Sequence, residues 1–230
     1  MDKEQIEVGL GSAHLETTPG KCSPDGKFRE YAYSRKVVAA VRDELKAKDY
    51  HVFVDYMADK PVELIRHSNW QKEQQRELDY RCSVVNAVCR QKGAKNVLYV
   101  SIHVNAAGIG SQWMNARGWC AYTSVGNTRG DKLAECLYDA AEKYLTDYRK
   151  TFTAEDLKRN YTHIRTDKRD GDRDFEANYY VLRKTNCAAC LTENMFQDNK
   201  ADVAFLQSEA GFKAIVNLHV EGIIKYIESL

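Results

Sequence analysis

The sequence predicts an α/β domain whose sheet is covered by helices on both faces, and three observations lead there. Short runs rich in Val, Ile, Tyr and Cys recur at 6–10, 51–54, 96–104, 118–123, 179–182 and 188–193, the composition typical of strands. Most intervals between them carry apolar residues at helical spacing, and strands alternating with helices of this length build βαβ units. No internal repeat, low-complexity tract or Gly/Ser linker interrupts the pattern, so residues 1–230 read as one domain.

Taken in order, the run at 6–10 opens the sheet and ends shortly before His14. A turn signal, Ser23-Pro24-Asp25-Gly26, precedes apolar residues four apart at Tyr33, Val37, Val41 and Leu45. They mark an amphipathic helix that starts near Glu30 and carries that carboxylate in its first turn. After the run at 51–54, a second helix passes through Leu78, Cys82, Val85 and Cys89 toward Gly93, a residue suited to end it. The strands at 96–104 and 118–123 follow, then a third helix carrying Leu133, Leu137 and Tyr144. Between 146 and 178 the chain turns strongly charged, with Asp167-Lys168-Arg169-Asp170-Gly171-Asp172-Arg173-Asp174 at its centre. With little periodicity there, the segment reads as a solvated loop beside the site. Runs at 179–182 and 188–193 supply the last two strands, and a final helix covers about 211–230.

Composition agrees with an ordinary enzyme-sized domain: 230 residues, 43% hydrophobic, can bury a core without staples. With 34 Lys plus Arg against 33 Asp plus Glu, the net charge of +1 supplies no global field for nucleic acid or an anionic membrane. The run at 6–10 is too short for a signal core or a membrane span, so synthesis in the cytoplasm without export is expected. Seven cysteines, an odd number without framework spacing, read as reduced thiols, mostly buried. Cys187 and Cys190 lie three apart in a strand-like run, so they point to opposite faces and form no redox or metal pair.

Ligands in α/β sheets bind beyond the carboxyl ends of the strands. Three such ends carry one chemical candidate each: His14 after the first, His103 on the third and Glu193 on the last. Glu30 joins them from the start of the first helix. Alternation places His103 and Asn105 on one face of their strand and Ile102 and Val104 on the other. Two histidines and one carboxylate make a common catalytic zinc set with a fourth position open, and such a metal lowers the pKa of its water to about 7. A second, unbound carboxylate must then move the proton, and Glu193 is placed for that. The remaining histidines, His51, His67, His163 and His219, sit at a strand start, in polar stretches or within a helix, and read as structural. Arg66 reads as a surface side chain.

These residues resemble the zinc N-acetylmuramoyl-L-alanine amidases of bacterial cell separation and phage lysis. His14-Leu15-Glu16-Thr17-Thr18-Pro19-Gly20-Lys21 is similar to that family's first metal loop, and the Ser23-Pro24-Asp25-Gly26 turn leading to Glu30 to its second ligand segment. Leu78 to Arg81 and Asn86 resemble the helix before the third motif. Ser101-Ile102-His103-Val104-Asn105-Ala106 resembles that motif itself. Val181-Leu182-Arg183 and Leu191-Thr192-Glu193-Asn194 resemble the strand pair carrying the catalytic Glu. The family brackets its first His with glycines, where this chain has Ala13 and Leu15, which narrows the backbone there. The acidic and basic run at 167–174 has no counterpart with a known role.

The resemblance implies a twisted, mostly parallel mixed sheet of about six strands. It also implies zinc held by His14, Glu30 and His103, Glu193 as general base, Asn105 at the substrate, and hydrolysis of the bond joining N-acetylmuramic acid to L-alanine. Peptidoglycan is the expected partner, met by a monomer acting on the cell wall or periplasm after phage-type release or with an export signal removed. A catalytically silent wall-binding or regulatory domain, or a zinc hydrolase of another amide, are the competing readings.

Overall fold

The computed structural model describes residues 3–58 and 60–230, and its centre is a six-stranded sheet. The strands are β1 (Glu7–Ser12), β2 (His51–Val54), β3 (Val97–Asn105), β4 (Cys120–Thr123), β5 (Phe175–Glu176) and β6 (Ala188–Phe196), in the order β2-β1-β3-β6-β4-β5. β1 runs parallel to β2 and β3, β3 to β6, and β4 to β5, while β4 is antiparallel to β6. The sheet is thus mixed and mostly parallel.

Helices α1 (Glu30–Lys46), α2 (Trp70–Lys92), α3 (Arg129–Tyr144), α4 (Thr146–Arg149), α5 (Ala154–Lys158), α6 (Tyr180–Lys184), α7 (Lys200–Gln207) and α8 (Glu209–Glu228) surround it. Strand alternation decides which helix meets which residue. On β3, Leu98, Val100, Ile102 and Val104 enter the larger core with Val37, Val41 and Leu45 of α1, Leu133 and Leu137 of α3, and Ile215 and Ile223 of α8. Val97 and Tyr99 face the other way, onto Cys82, Val85 and Cys89 of α2 and Val181 and Leu182 of α6. Ser101 and His103 continue that second row, so the α2 face carries the chemistry. Cys190 belongs to the first core and Cys187 packs on the second, as strand alternation requires.

The helix ends follow local chemistry. The Asn69 side chain accepts the Lys72 N–H to cap α2, and Gly93, at φ 85°, ends it. Thr128 and Asp131 form a reciprocal capping box on α3.

Two expectations fail. Residues 179–182 are not a strand, because Tyr180–Lys184 is the helix α6. A four-residue apolar run does not distinguish the two. Here Val181 and Leu182 bury together against α2. Asn86 of α2 fixes the chain beyond, donating to the Lys184 carbonyl at 2.7 Å and accepting the Asn186 N–H at 2.9 Å. The fifth strand is instead the two-residue β5, inside the charged segment.

Nor is 146–178 a bare solvated loop, since it holds α4, α5 and β5 and buries Tyr148 and Ile164. Its anchor is Arg117, itself buried, which donates to Asp202 at 2.9 Å, to Asp156 at 3.0 Å and to the Thr151 carbonyl at 3.1 Å. The Arg117 guanidinium also lies 4.1 Å from the Phe152 ring centre. Tertiary ion pairing, which leaves no periodic signal, orders this segment.

Beneath the carboxyl end of the sheet lies a buried ionic group. Arg81 of α2 donates to Asp55 Oδ1 at 2.7 Å and, through two nitrogens, to Glu77 Oε1 at 2.9 and 2.7 Å. Tyr99 Oη donates to the other Asp55 oxygen at 2.7 Å. A β-carbon on Gly11 would lie 2.1 Å from Tyr99 Oη, so only glycine leaves room for this contact. Removing the cation strands two buried carboxylates. Arg81→Met is therefore expected to lower the unfolding free energy by about 3–5 kcal/mol, read from urea denaturation. A loss below about 1 kcal/mol, the scale of an exposed pair, would show that the group does not brace the fold.

Candidate metal centre

Four of the side chains singled out from the sequence meet at the carboxyl ends of β1, β3 and β6. Ser34, in the first turns of α1, ties two of those ends together: it accepts the Ala13 N–H at 2.8 Å and donates to the Ile102 carbonyl at 2.6 Å. The residues adjoining both histidines thus hang from one buried hydroxyl. His14 adopts φ 45°, a left-handed conformation uncommon for a side-chain-bearing residue. Arg35 donates to the His14 carbonyl at 3.2 Å, so α1 holds the turn on both sides of the imidazole.

Glu30 opens α1 almost wholly buried, 1% exposed. Its amide donates to the Lys21 carbonyl at 3.1 Å, closing the loop that carries the Ser23–Gly26 turn. Glu30 Oε1 accepts the Val104 N–H at 3.1 Å and lies 3.3 Å from His103 Nδ1, while Oε2 lies 3.6 Å from His14 Nε2 and receives no hydrogen bond. The imidazole rings stand edge to face, centres 5.2 Å apart at 88°. One donor atom from each of His14, Glu30 and His103 fits within 4.8 Å, the one such group of metal-ligating side chains among the described residues.

Glu193 pairs with His103 across β3 and β6 and points into the same pocket. Its Oε2 is buried without a hydrogen-bond partner. Asn194 sets the strand register here, donating to the His103 carbonyl at 2.9 Å while its oxygen accepts the Trp119 indole N–H at 3.0 Å.

The protonation states follow from burial and facing charge. Burial holds His14 down at about 3, so its imidazole is neutral at pH 7. Burial would raise Glu30, but the facing His14 and His103 outweigh it and bring the carboxyl to about 2. Burial, then the negative charge of Glu30, pushes Glu193 well above the usual carboxylate range. A neutral imidazole and an ionised carboxylate are the forms that bind a metal. Two histidines and a carboxylate with a buried, unpartnered oxygen between them fit Zn²⁺ in donor type and spacing.

The pocket, about 360 Å³, is walled by Gln74, Glu77 and Leu78 of α2, by Tyr179 and Tyr180, and by Lys21. Asn105 also lines it, with its Oδ1 taken by the Ala106 N–H at 2.8 Å. Ser34, Glu77, Lys21 and Tyr179 were not singled out from the sequence. Ser34 acts through backbone groups, and the others reach the pocket from elements whose mutual placement periodicity does not specify. The remaining histidines lie elsewhere: His219 is buried in α8, 2.9 Å from the Thr192 hydroxyl, and His51 faces Glu7 at 3.6 Å.

Residues 8–225 match the sequence profile of a family described as N-acetylmuramoyl-L-alanine amidase. Over 152 residues the chain is 28% identical to the endolysin of Bacillus phage SPP1, a match covering 66% of this chain and 48% of that protein. The chain thus spans about half the length of the curated relative it matches. Among solved structures, the CwlD amidase of Clostridioides difficile, seen in complex with the GerS lipoprotein, aligns over 98% of this chain and 100% of its own, with 17% identity and a TM-score of 0.72. The N-acetylmuramoyl-L-alanine amidase AmiC2 of Nostoc punctiforme aligns over 97% and 98%, with 20% identity and a TM-score of 0.66. The structural likenesses are of fold.

Ser34→Ala would remove the bonds to the Ala13 N–H and the Ile102 carbonyl and let the two imidazoles drift apart. Zinc affinity, measured by competition with a chromophoric chelator, is expected to fall about 10–100-fold, as when supporting groups around a metal are removed. Unchanged affinity would show that the hydroxyl does not preorganise the site.

Proposed function

This chain belongs to the N-acetylmuramoyl-L-alanine amidase family, and we propose that it hydrolyses the amide between N-acetylmuramic acid and L-alanine in peptidoglycan, using Zn²⁺ held by His14, Glu30 and His103 with Glu193 as general base. The observation that carries this reading is the convergence of three ligand-type side chains within 4.8 Å, with a fourth, uncommitted carboxyl facing the same pocket. When bound, the metal polarises a carbonyl oxygen and acidifies water.

The protein's own groups do the rest. Glu193 takes a proton from the attacking water at Oε2, its unpartnered oxygen, and passes it to the L-alanine nitrogen as the C–N bond breaks. Burial suits the carboxyl to hold that proton between the two steps. Tyr179, Tyr180 and Leu78 supply apolar walls that exclude bulk water, and Asn105 and Gln74 offer amides to the substrate. Residues 1–230 act in this reading as one catalytic domain. No helix among the described residues is long and apolar enough to cross a membrane. The likeness to a phage endolysin supports action on the cell wall.

Digestion of purified peptidoglycan should release stem peptides with a free L-alanine amino terminus, detected by mass spectrometry, and a chelator should stop it. Zinc-loaded protein that releases none, or that exposes a different amine, would sink the assignment. Glu193→Ala should keep zinc and lower turnover by about 10²–10⁴-fold, whereas His103→Ala should lose both. Near-normal turnover in Glu193→Ala would remove that residue from the chemistry.

A further inference from the structure

The charged run that the amidase reading leaves unused contains a second, unrelated arrangement. Asp174 is 1% exposed, and its Oδ2 accepts the Thr123 hydroxyl at 2.6 Å. Its Oδ1 and Asp172 Oδ1 are both buried and accept no hydrogen bond from any donor. Asp172, two residues before Asp174 in the chain, sets a second carboxyl near this one, and its charge raises Asp174. Asp131, occupied in the capping box of α3, and Asp170 and Glu135 add negative charge nearby. The arginines of the segment are committed elsewhere: Arg173 to Glu135 and Asp139, Arg169 to Asp167. Burial and the charges of Asp172 and Asp131 push Asp174 up to about 7.

A buried Asp174 cannot remain ionised beside the half-buried Asp172 without a positive charge between them. We propose that Asp172 and Asp174, with the Thr123 hydroxyl, bind a hard divalent cation of the calcium type at a site separate from the catalytic pocket. All donors are oxygen, which excludes a soft or imidazole-seeking metal. Two carboxylates and a hydroxyl leave the remaining positions to backbone carbonyls and water, as calcium accepts with its roughly six to eight oxygen ligands. Such a cation clips the 167–176 segment to the end of β4, where the Ala177 N–H also donates to the Thr123 carbonyl at 3.0 Å. The chain then runs directly to Tyr179 and Tyr180 in the pocket wall, so the site would hold that wall in place.

The test uses the intact, zinc-loaded protein. Saturating calcium should raise its thermal midpoint by about 2–4 °C, and Tb³⁺ should bind with emission sensitised by Tyr122, whose ring lies 5.3 Å from Phe175 beside the site. Both responses should vanish in Asp174→Asn, which keeps the side-chain shape, and in Asp172→Asn, with zinc content unchanged. No calcium or terbium response in the wild-type protein, or responses that survive both substitutions, would overturn the proposal. So would stabilisation on going from about pH 8 to about pH 6 without any response to calcium, because the carboxyls would then share a proton.

Discussion

A carboxylate buried at the start of a helix governs the organisation of the site. Glu30 is almost inaccessible to water, yet it sits between two imidazoles and one backbone amide, with one oxygen left unpartnered. Desolvating an ionised carboxylate is expensive unless positive charge or hydrogen bonds replace the lost water. Its surroundings answer that demand in part: the imidazoles turn their nitrogens toward it and the Val104 amide donates to it, while its negative charge adds to burial in raising the neighbouring Glu193 carboxyl. A divalent cation answers the remainder, and so a cost to the fold doubles as the basis of metal affinity.

That arrangement rests on rigid support. Ser34 joins the ends of β1 and β3, Asn194 holds β6 to β3, and the Arg81, Asp55, Glu77 and Tyr99 group lies directly below. Each support is buried and, apart from the Arg81–Glu77 bonds within α2, each polar bond spans elements distant in sequence, so the geometry is set by the whole sheet and not by a loop. The acidic pair Asp172 and Asp174 repeats the physical theme near β4 and β5, where each carboxyl again keeps a buried oxygen without a hydrogen-bond partner.

The α/β class, the four main helices and five of the strands were legible because their signals are local. Alternation along Val97 to Asn105 and four-residue spacing from Tyr33 to Leu45 are properties of consecutive residues. The helix at Tyr180–Lys184 and the strand at Phe175–Glu176 were not, because at five and two residues they fall below the length over which periodicity can be read. The ordering of 146–178 was hidden for a different reason. Arg117 reaches Asp156 and Asp202 from positions 39 and 85 residues away, and no local pattern records such a pairing.

For the site, residue type and place on a strand or helix end were enough to name His14, Glu30, His103 and Glu193, since a parallel sheet delivers its carboxyl ends to one edge. Their approach to within a few ångströms, the left-handed turn at His14 and the shifted protonation of Glu193 were decided by the tertiary structure alone. Burial and facing charge arise only when segments remote in sequence pack together. The sequence by itself determined which groups could do chemistry and on which face of the sheet they lie; packing determined how close they come and in which direction burial and facing charge shift the Glu193 carboxyl.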